Sequence, residues 1–252
     1  MEIEEIEEKH ATILTYEFKS IRTIVLSTLA WAICYQIFKY IFPKKSPEFN
    51  SRLLTWIHGI IATIIGLNQC LLNENPFEHP DWITTNIQNF LLVFSLGYFI
   101  YDLIWCSYYR TETGLMIMHH LYTIYALKAM VWKGYSGAQA CCCLGCMEIT
   151  NPVLQLRWFI RSEGYHKTIT FILVELLFFI LFFTFRMLIG SYIALKVLFE
   201  EKNDTDFKIA TMLLHTVSCL FMVQIFKYAI LKYGSNGRFW KSQMDLTTEE
   251  IT

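Results

Sequence analysis

Apolar runs of about twenty residues recur along the chain, and their length restricts its fold more than any other feature. A helix needs about 20 apolar residues to cross the hydrocarbon core of a bilayer, whereas a buried strand or core helix needs far fewer. Runs of this kind lie at 21–42, 53–72, 86–108, 115–132, 137–158, 168–198 and 207–231. The expected fold is all-α, a polytopic transmembrane bundle of about seven helices, because helices satisfy their own backbone groups in lipid. Composition agrees: 54% of the 252 residues are hydrophobic and 17% charged, against about a quarter charged in a soluble domain. A net charge of −1 gives no basic footprint, so nucleic acid is not an expected partner.

The acidic N-terminal stretch lacks the basic region of a cleaved signal peptide. The first run, which begins near Arg22, should stay as an anchor. Both ends of the chain read as disordered tails. Pro43 and Pro47 end the first helix, Asn73, Asn75, Pro76 and Pro80 mark the loop after the second, and Gly134 and Gly137 form a tight turn. The sixth run exceeds what a bilayer requires, so it should tilt or project into water. Lys44, Lys45 and Arg52, then Arg157, Arg161 and Lys167, and finally Lys232, Arg238 and Lys241 fall on one side of the membrane. The positive-inside rule makes that side cytosolic and leaves the N-terminus outside or lumenal. Asn203-Asp204-Thr205 is a glycosylation sequon in the last outer loop.

Ionisable residues inside spans are costly, about 2.5–3.5 kcal/mol for a central Asp or Lys on insertion scales, and they mark functional interiors. His58, Asp102, His119, His120, Glu148 and Glu175 come from five different helices, and all lie within about 15 Å of the cytosolic ends at 1.5 Å per residue. Helices that each hide one polar stripe must turn those stripes toward one another, which predicts a polar chamber open to the cytosol. Tyr98, Asp102 and Trp105 share one helical face, and Glu148, Asn151 and Gln155 share another. Pro152 displaces the hydrogen bond to the Glu148 carbonyl and should kink the helix there.

The adjacent pair His119-His120 is the sharpest chemical feature. Neighbouring helical residues differ by about 100° around the axis, so one imidazole faces the chamber while the other orients an acid or meets the next helix. An imidazole can act as general base or acyl acceptor, with Asp102 or Glu148 fixing its tautomer. The same pair is also compatible with simple hydrogen bonding across the bundle. A metal site is less well matched, because no His-x-x-His or His-x-x-x-His spacing is present. Glu175, Arg186 and His215 read as structural. Cys141, Cys142, Cys143 and Cys146 resemble a zinc knuckle, but contiguous helical positions cannot converge on one ion. They read as small packing residues or as a palmitoylated cluster.

Three blocks, Gly97-Tyr98-Phe99-Ile100-Tyr101-Asp102-Leu103, His119-His120-Leu121-Tyr122-Thr123 and Met147-Glu148-Ile149-Thr150-Asn151-Pro152 with Leu156-Arg157-Trp158, resemble the TLC-domain family. That family includes the ceramide synthases and the translocating-chain-associating membrane proteins, and the likeness is nearest to its small members without an extra soluble domain. The resemblance implies a TLC-like domain at 50–235, preceded by an acidic tail at 1–20 and a first helix and loop at 21–49, and followed by a cytosolic tail at 236–252. It implies a six-helix core around a central cavity, endoplasmic-reticulum or related membranes, and lipid partners. In the synthases the paired histidines are catalytic, a role that carries over to His119 and His120. The synthases' downstream Asp pair is not matched, since Glu148 and Asn151 stand in that region. The resemblance therefore implies lipid chemistry or lipid sensing and does not extend to ceramide synthesis.

The expected function is lipid metabolism in a multi-pass membrane protein, with acyl transfer from acyl-CoA to a lipid as the favoured reaction. His119 or His120 would be the base or acyl acceptor, oriented by Asp102 and Glu148. The partners are then membrane lipids and acyl-CoA, with no cofactor and no metal. The alternative is a non-catalytic lipid-binding or lipid-sensing protein that sets membrane composition or trafficking.

Overall fold

The computed structural model describes residues 2–71 and 75–234, with side chains described from residue 21 onward. The helices are α1 (Glu2–Ile41), α2 (Pro47–Leu71), α3 (Asn86–Tyr109), α4 (Gly114–Lys133), α5 (Gly137–Glu148), α6 (Thr150–Ser162), α7 (Ile169–Leu181), α8 (Gly190–Phe199) and α9 (Thr205–Tyr233). A π-helical stretch, Phe182–Ile189, joins α7 to α8. Five segments are long and apolar enough to cross a membrane: Ile21–Ile41, Pro47–Leu71, Asn86–Tyr109, Ile169–Phe199 and Thr205–Tyr233. The 20-residue α4 and the broken α5–α6 pair run beside them. The backbone is helical from Glu2, so the expected N-terminal tail continues α1, while the C-terminal tail at 236–252 lies outside the described residues.

The bundle has an apolar outer surface, and its charged side chains within the spans are enclosed alongside an apolar core. Asp102, His119, His120, Glu148, Glu175 and Arg186 are buried, while Leu26, Ile33, Leu173, Leu176 and Leu220 face outward. Lipid imposes this arrangement, since a charge turned outward would meet hydrocarbon. Packing closes a ring: α2 against α3, α3 against α4, α4 against α9, α9 against the α8 segment, α7 against α6, and α5–α6 back onto α2. The first helix stays outside the ring, docked on α3. There the Trp31 indole donates to the Phe94 carbonyl at 3.1 Å.

Two backbone contacts fix the ring. The α2 and α5 axes cross at Gly66 and Gly145, where a Cβ on Gly145 would lie 2.5 Å from the Leu67 nitrogen. Small residues of this kind let membrane helices approach closely. One turn further along, Cys70 and Cys142 form a disulfide across the same pair of helices. This corrects the reading of the cysteine cluster: Cys142 is cross-linked, and Cys141 and Cys146 are buried, so they are not available as a palmitoylated patch. The sulfurs of Cys70, Cys142 and Cys146 lie within 4.8 Å of one another, but two of them are spent in the disulfide and the trio offers no set of thiolates.

The fifth run breaks at Ile149, between α5 and α6. Pro152 lacks the N–H that would have bonded the Glu148 carbonyl, and its ring clashes with that carbonyl. The long sixth run is one 31-residue apolar segment with a π-helix in its middle. Such π-helical stretches often mark functional positions in helices.

The end of the bundle opposite the basic loops is closed by side chains. The Tyr135 hydroxyl donates to Asp204 at 2.8 Å, and the Lys133 ammonium lies 2.9 Å from the same carboxylate. Lys133 and then Tyr135 hold the Asp204 carboxyl below its usual range. The neighbouring Asn203 is buried, and its amide donates to the Val197 carbonyl at 3.1 Å. A glycosyltransferase needs that nitrogen free in an extended loop. The sequon should therefore stay unmodified: endoglycosidase should not change the gel mobility of protein from cells, and wild type and Asn203→Gln should co-migrate. A shift seen only in wild type would show that this loop opens.

Candidate functional site

A cavity of about 860 Å³ lies inside the ring of helices. Asp102, His119, His120 and Glu148 all line it, together with Tyr98 and Trp105 on the same face of α3 as Asp102. Its mouth is bordered by Glu48, Arg52, Glu112 and Arg161. That is the end of the bundle where α2 starts, α3 passes to α4 and α6 ends. A smaller pocket of about 90 Å³ lies beyond it. Phe99, His119, Glu148 and Arg186 border both spaces and form the wall between them.

Thr113 starts α4 by accepting a hydrogen bond from the Met116 N–H at 3.4 Å, which sets the register of the histidine pair. The two rings then do different things. His120 Nε2 lies 2.8 Å from Asp102 Oδ2, and its Nδ1 lies 2.7 Å from the Met116 carbonyl oxygen. A carbonyl oxygen can only accept, so Nδ1 carries a proton. Nε2 therefore either donates to Asp102 or shares its proton with it. Both nitrogens are occupied, and no lone pair is left for a substrate. His119 carries no side-chain hydrogen bond among the described residues; its Nδ1 is enclosed without a partner, and its ring rests edge-on against Phe99 and Phe221. Of the pair, His119 is the imidazole with an unengaged ring on the cavity wall.

Of the two expected orienting acids, Asp102 meets the histidine pair and Glu148 makes no hydrogen bond to it. Asp102 binds His120, not His119. Glu148 accepts from Asn151 Nδ2 at 3.0 Å and lies 3.7 Å from His58 Nδ1, beyond hydrogen-bond reach, and it makes no hydrogen bond to the histidine pair. His58 is itself held by Ser95 at 3.1 Å and stacked on the Tyr98 ring. Among the described residues no carboxylate fixes the tautomer of His119.

Glu148 instead ends a polar chain that runs in from the mouth. Arg52 donates to Gln155 at 3.3 Å, Gln155 to Asn151 at 2.9 Å, and Asn151 to Glu148. Arg52 also binds Glu48 at 2.8 Å and Glu112 at 3.4 Å, and it stacks over Trp158. Burial at the mouth raises the Glu112 carboxyl, and Arg52 acts against that rise. The sequence showed Arg52 only as a loop charge, and its hub position depends on three elements meeting there.

Glu175 accepts from Arg157 at 2.9 Å and from Tyr228 at 2.9 Å, and it also holds Lys232 and Tyr233. It clasps α6, α7 and α9 together, which fits a structural role. His215 lies 3.3 Å from the Ser191 hydroxyl beside the smaller pocket. Arg186 lies on the dividing wall, reaches the Ser218 hydroxyl at 3.5 Å, and has no carboxylate within 4 Å among the described residues.

Comparison with known proteins places this geometry in a family. A model of the TLC domain matches residues 48–232. The chain is 27% identical over 128 residues to TLC domain-containing protein 4-B of Danio rerio, a stretch covering 50% of this chain and 48% of that protein. It is 30% identical over 147 residues to TLC domain-containing protein 4 of Homo sapiens, 54% of each chain. The chain thus spans about half the length of the curated relatives it matches. The family model, by contrast, takes in most of the sequence, including Asp102, both histidines, Glu148 and Arg186, and the chain belongs to the TLC-domain family.

Proposed function

We propose that this protein is a membrane-embedded enzyme of lipid metabolism that transfers an acyl group from acyl-CoA to a lipid hydroxyl or amine. The observation that carries the reading is His119, an imidazole with no hydrogen bond of its own, on the wall of a cavity of about 860 Å³. In the proposed step His119 removes the proton from the acceptor O–H or N–H as that atom attacks the thioester carbonyl. The C–S bond breaks, the coenzyme A thiolate leaves, and the imidazolium returns the proton to it. Alternatively a His119 ring nitrogen attacks the thioester carbonyl and the C–S bond breaks with release of the coenzyme A thiolate; the acceptor O–H or N–H then attacks the acyl-imidazole, the acyl–nitrogen bond breaks, and the acceptor's proton passes to the thiolate. The His120–Asp102 pair holds the α3–α4 contact rigid beside it. We place the mouth on the cytosolic side, in an endoplasmic-reticulum or related membrane. Arg52, Arg157 and Arg161 cluster at that end, and the Cys70–Cys142 disulfide, which suits an oxidising compartment, lies toward the other. A thioester donor would enter from there, because its coenzyme A moiety is too polar for the bilayer.

The test is purified protein in detergent with acyl-CoA and a panel of lipid amines and alcohols, following free coenzyme A and product mass. Wild type should release coenzyme A with stoichiometric acylated product, and the His119→Ala/His120→Ala variant should not. Equal release by both would overturn the reading. One observation favours a second reading, a non-catalytic lipid-binding protein: no carboxylate orients His119 as a third catalytic member would. Lipid retained by both proteins without turnover would support it.

A further inference from the structure

The wall between the two cavities contains a cation that forms no ion pair within 4 Å among the described residues. Arg186 is 8% exposed. Its Nε is enclosed without a hydrogen-bond partner, and Nη1 reaches the Ser218 hydroxyl only at the long limit of 3.5 Å. Its remaining contact is the Phe182 ring, 5.6 Å from the guanidinium carbon. The nearby acid on the same wall, Glu148, attracts the guanidinium from beyond ion-pair distance, and its carboxylate already accepts from Asn151. Glu175, the other buried acid of the sixth run, is taken up by Arg157, Lys232 and two tyrosines. An arginine cannot discharge itself by losing its proton, and an unpaired buried charge is strongly destabilising. The π-helix Phe182–Ile189 holds Arg186 on a surface shared by the two cavities.

We propose that Arg186 anchors the anionic head group of a lipid ligand, a carboxylate or a phosphate, beside His119 at the inner end of the large cavity. This rests on the reading that the cavity takes a lipid, and it adds that the lipid carries a negative charge close to its reacting end. Guanidinium suits the task because its planar fork matches both oxyanions in bidentate geometry. The ligand tail would lie in the large cavity of about 860 Å³, against apolar side chains such as Phe178, Phe182 and Ile225.

The test measures binding, not turnover. Three fluorescent single-chain probes of equal tail length are titrated into purified protein in nonionic detergent: a fatty acid, a lysophosphatidate and a neutral monoacylglycerol. Wild type should bind at least one anionic probe about 10- to 100-fold more tightly than the neutral one, the effect of a charged hydrogen-bond pair. Arg186→Met should erase that preference and leave the neutral probe unchanged. Preference for the fatty acid alone assigns a carboxylate, preference for the lysophosphatidate alone assigns a phosphate, and preference for both assigns the oxyanion they share. No preference in wild type, or a preference that survives Arg186→Met, overturns the proposal. Where Arg186→Met does not fold, Arg186→Gln, which can keep the Ser218 contact, is titrated in its place with the same expected loss of preference. His119→Ala should keep the preference, so loss of catalysis and loss of anion binding are read separately. The melting temperature of Arg186→Met should not fall, since an unpaired charge is removed; a fall would mark Arg186 as a structural cation and overturn the assignment.

Discussion

Replacing His119 by Ala should abolish turnover, about 10²- to 10⁴-fold for loss of a general base, without lowering the melting temperature. The ring of His119 makes no hydrogen bond that the fold would miss, and its aromatic neighbours Phe99 and Phe221 can close over the space. His120→Ala and Asp102→Ala should behave differently. Each removes one member of a buried pair 2.8 Å apart and leaves the other charge unpaired in a bundle surrounded by lipid. Breaking such a pair costs about 3–5 kcal/mol, whereas replacing both members with apolar groups is often close to neutral. Both single variants should therefore melt earlier as well as lose activity, and Asp102→Leu/His120→Leu should recover most of the stability while staying inactive. The measurements are turnover and thermal unfolding of each variant in the same detergent. If His120→Ala keeps full stability and His119→Ala loses it, the two roles are reversed.

These roles were only partly legible in the sequence. The spans were legible because length and apolarity are properties of the chain itself, and the break beside Glu148 was legible because Pro152 acts on its own helix. That adjacent histidines must face different ways followed from helical geometry. Which one met an acid did not, because it depends on the register of α3 against α4 and on His120 folding back to the Met116 carbonyl. Glu148 shared a helical face with Asn151 and Gln155, and that face proved to be a hydrogen-bond chain rather than a partner for the histidines.

The solitude of Arg186 was hidden for the same reason. Arginine in an apolar span was visible, but the lack of an acid opposite it is a property of α9, which offers only the Ser218 hydroxyl. Cys70 lies 72 residues before Cys142, and only the crossing of α2 over α5 brings them together. Residues whose partners lie on their own helix could be read ahead of the structure. Residues whose partners lie on a neighbouring helix could be nominated as buried but not assigned.

That crossing carries the second large expected effect. Gly145→Val should lower the melting temperature sharply, because the contact it disturbs is backbone against backbone. A Cβ at position 145 would lie 2.5 Å from the Leu67 nitrogen and 2.6 Å from the Gly66 carbonyl carbon. A Cβ at position 66 would lie 2.6 Å from both the Gly145 Cα and the Cys141 carbonyl oxygen. No flexible side chain can yield on either face, so α2 and α5 must separate. Overpacking a tight core costs about 1–3 kcal/mol, and this site belongs at the top of that range or above it. A loss of about 3 kcal/mol corresponds to about 6–12 °C for a chain of this size. The consequences reach the cavity, because α2 carries Arg52 and His58 and α5 carries Glu148. Separation should stretch the 3.3 Å contact between Arg52 and Gln155 and weaken ligand binding along with stability. Gly114→Ala is the matched control: a Cβ there meets nothing within 4 Å, at the first residue of α4, and the melting temperature should not fall. Thermal unfolding of the two variants beside wild type checks the argument. An unchanged melting temperature in Gly145→Val would mean that α2 and α5 do not meet backbone to backbone at Gly66 and Gly145.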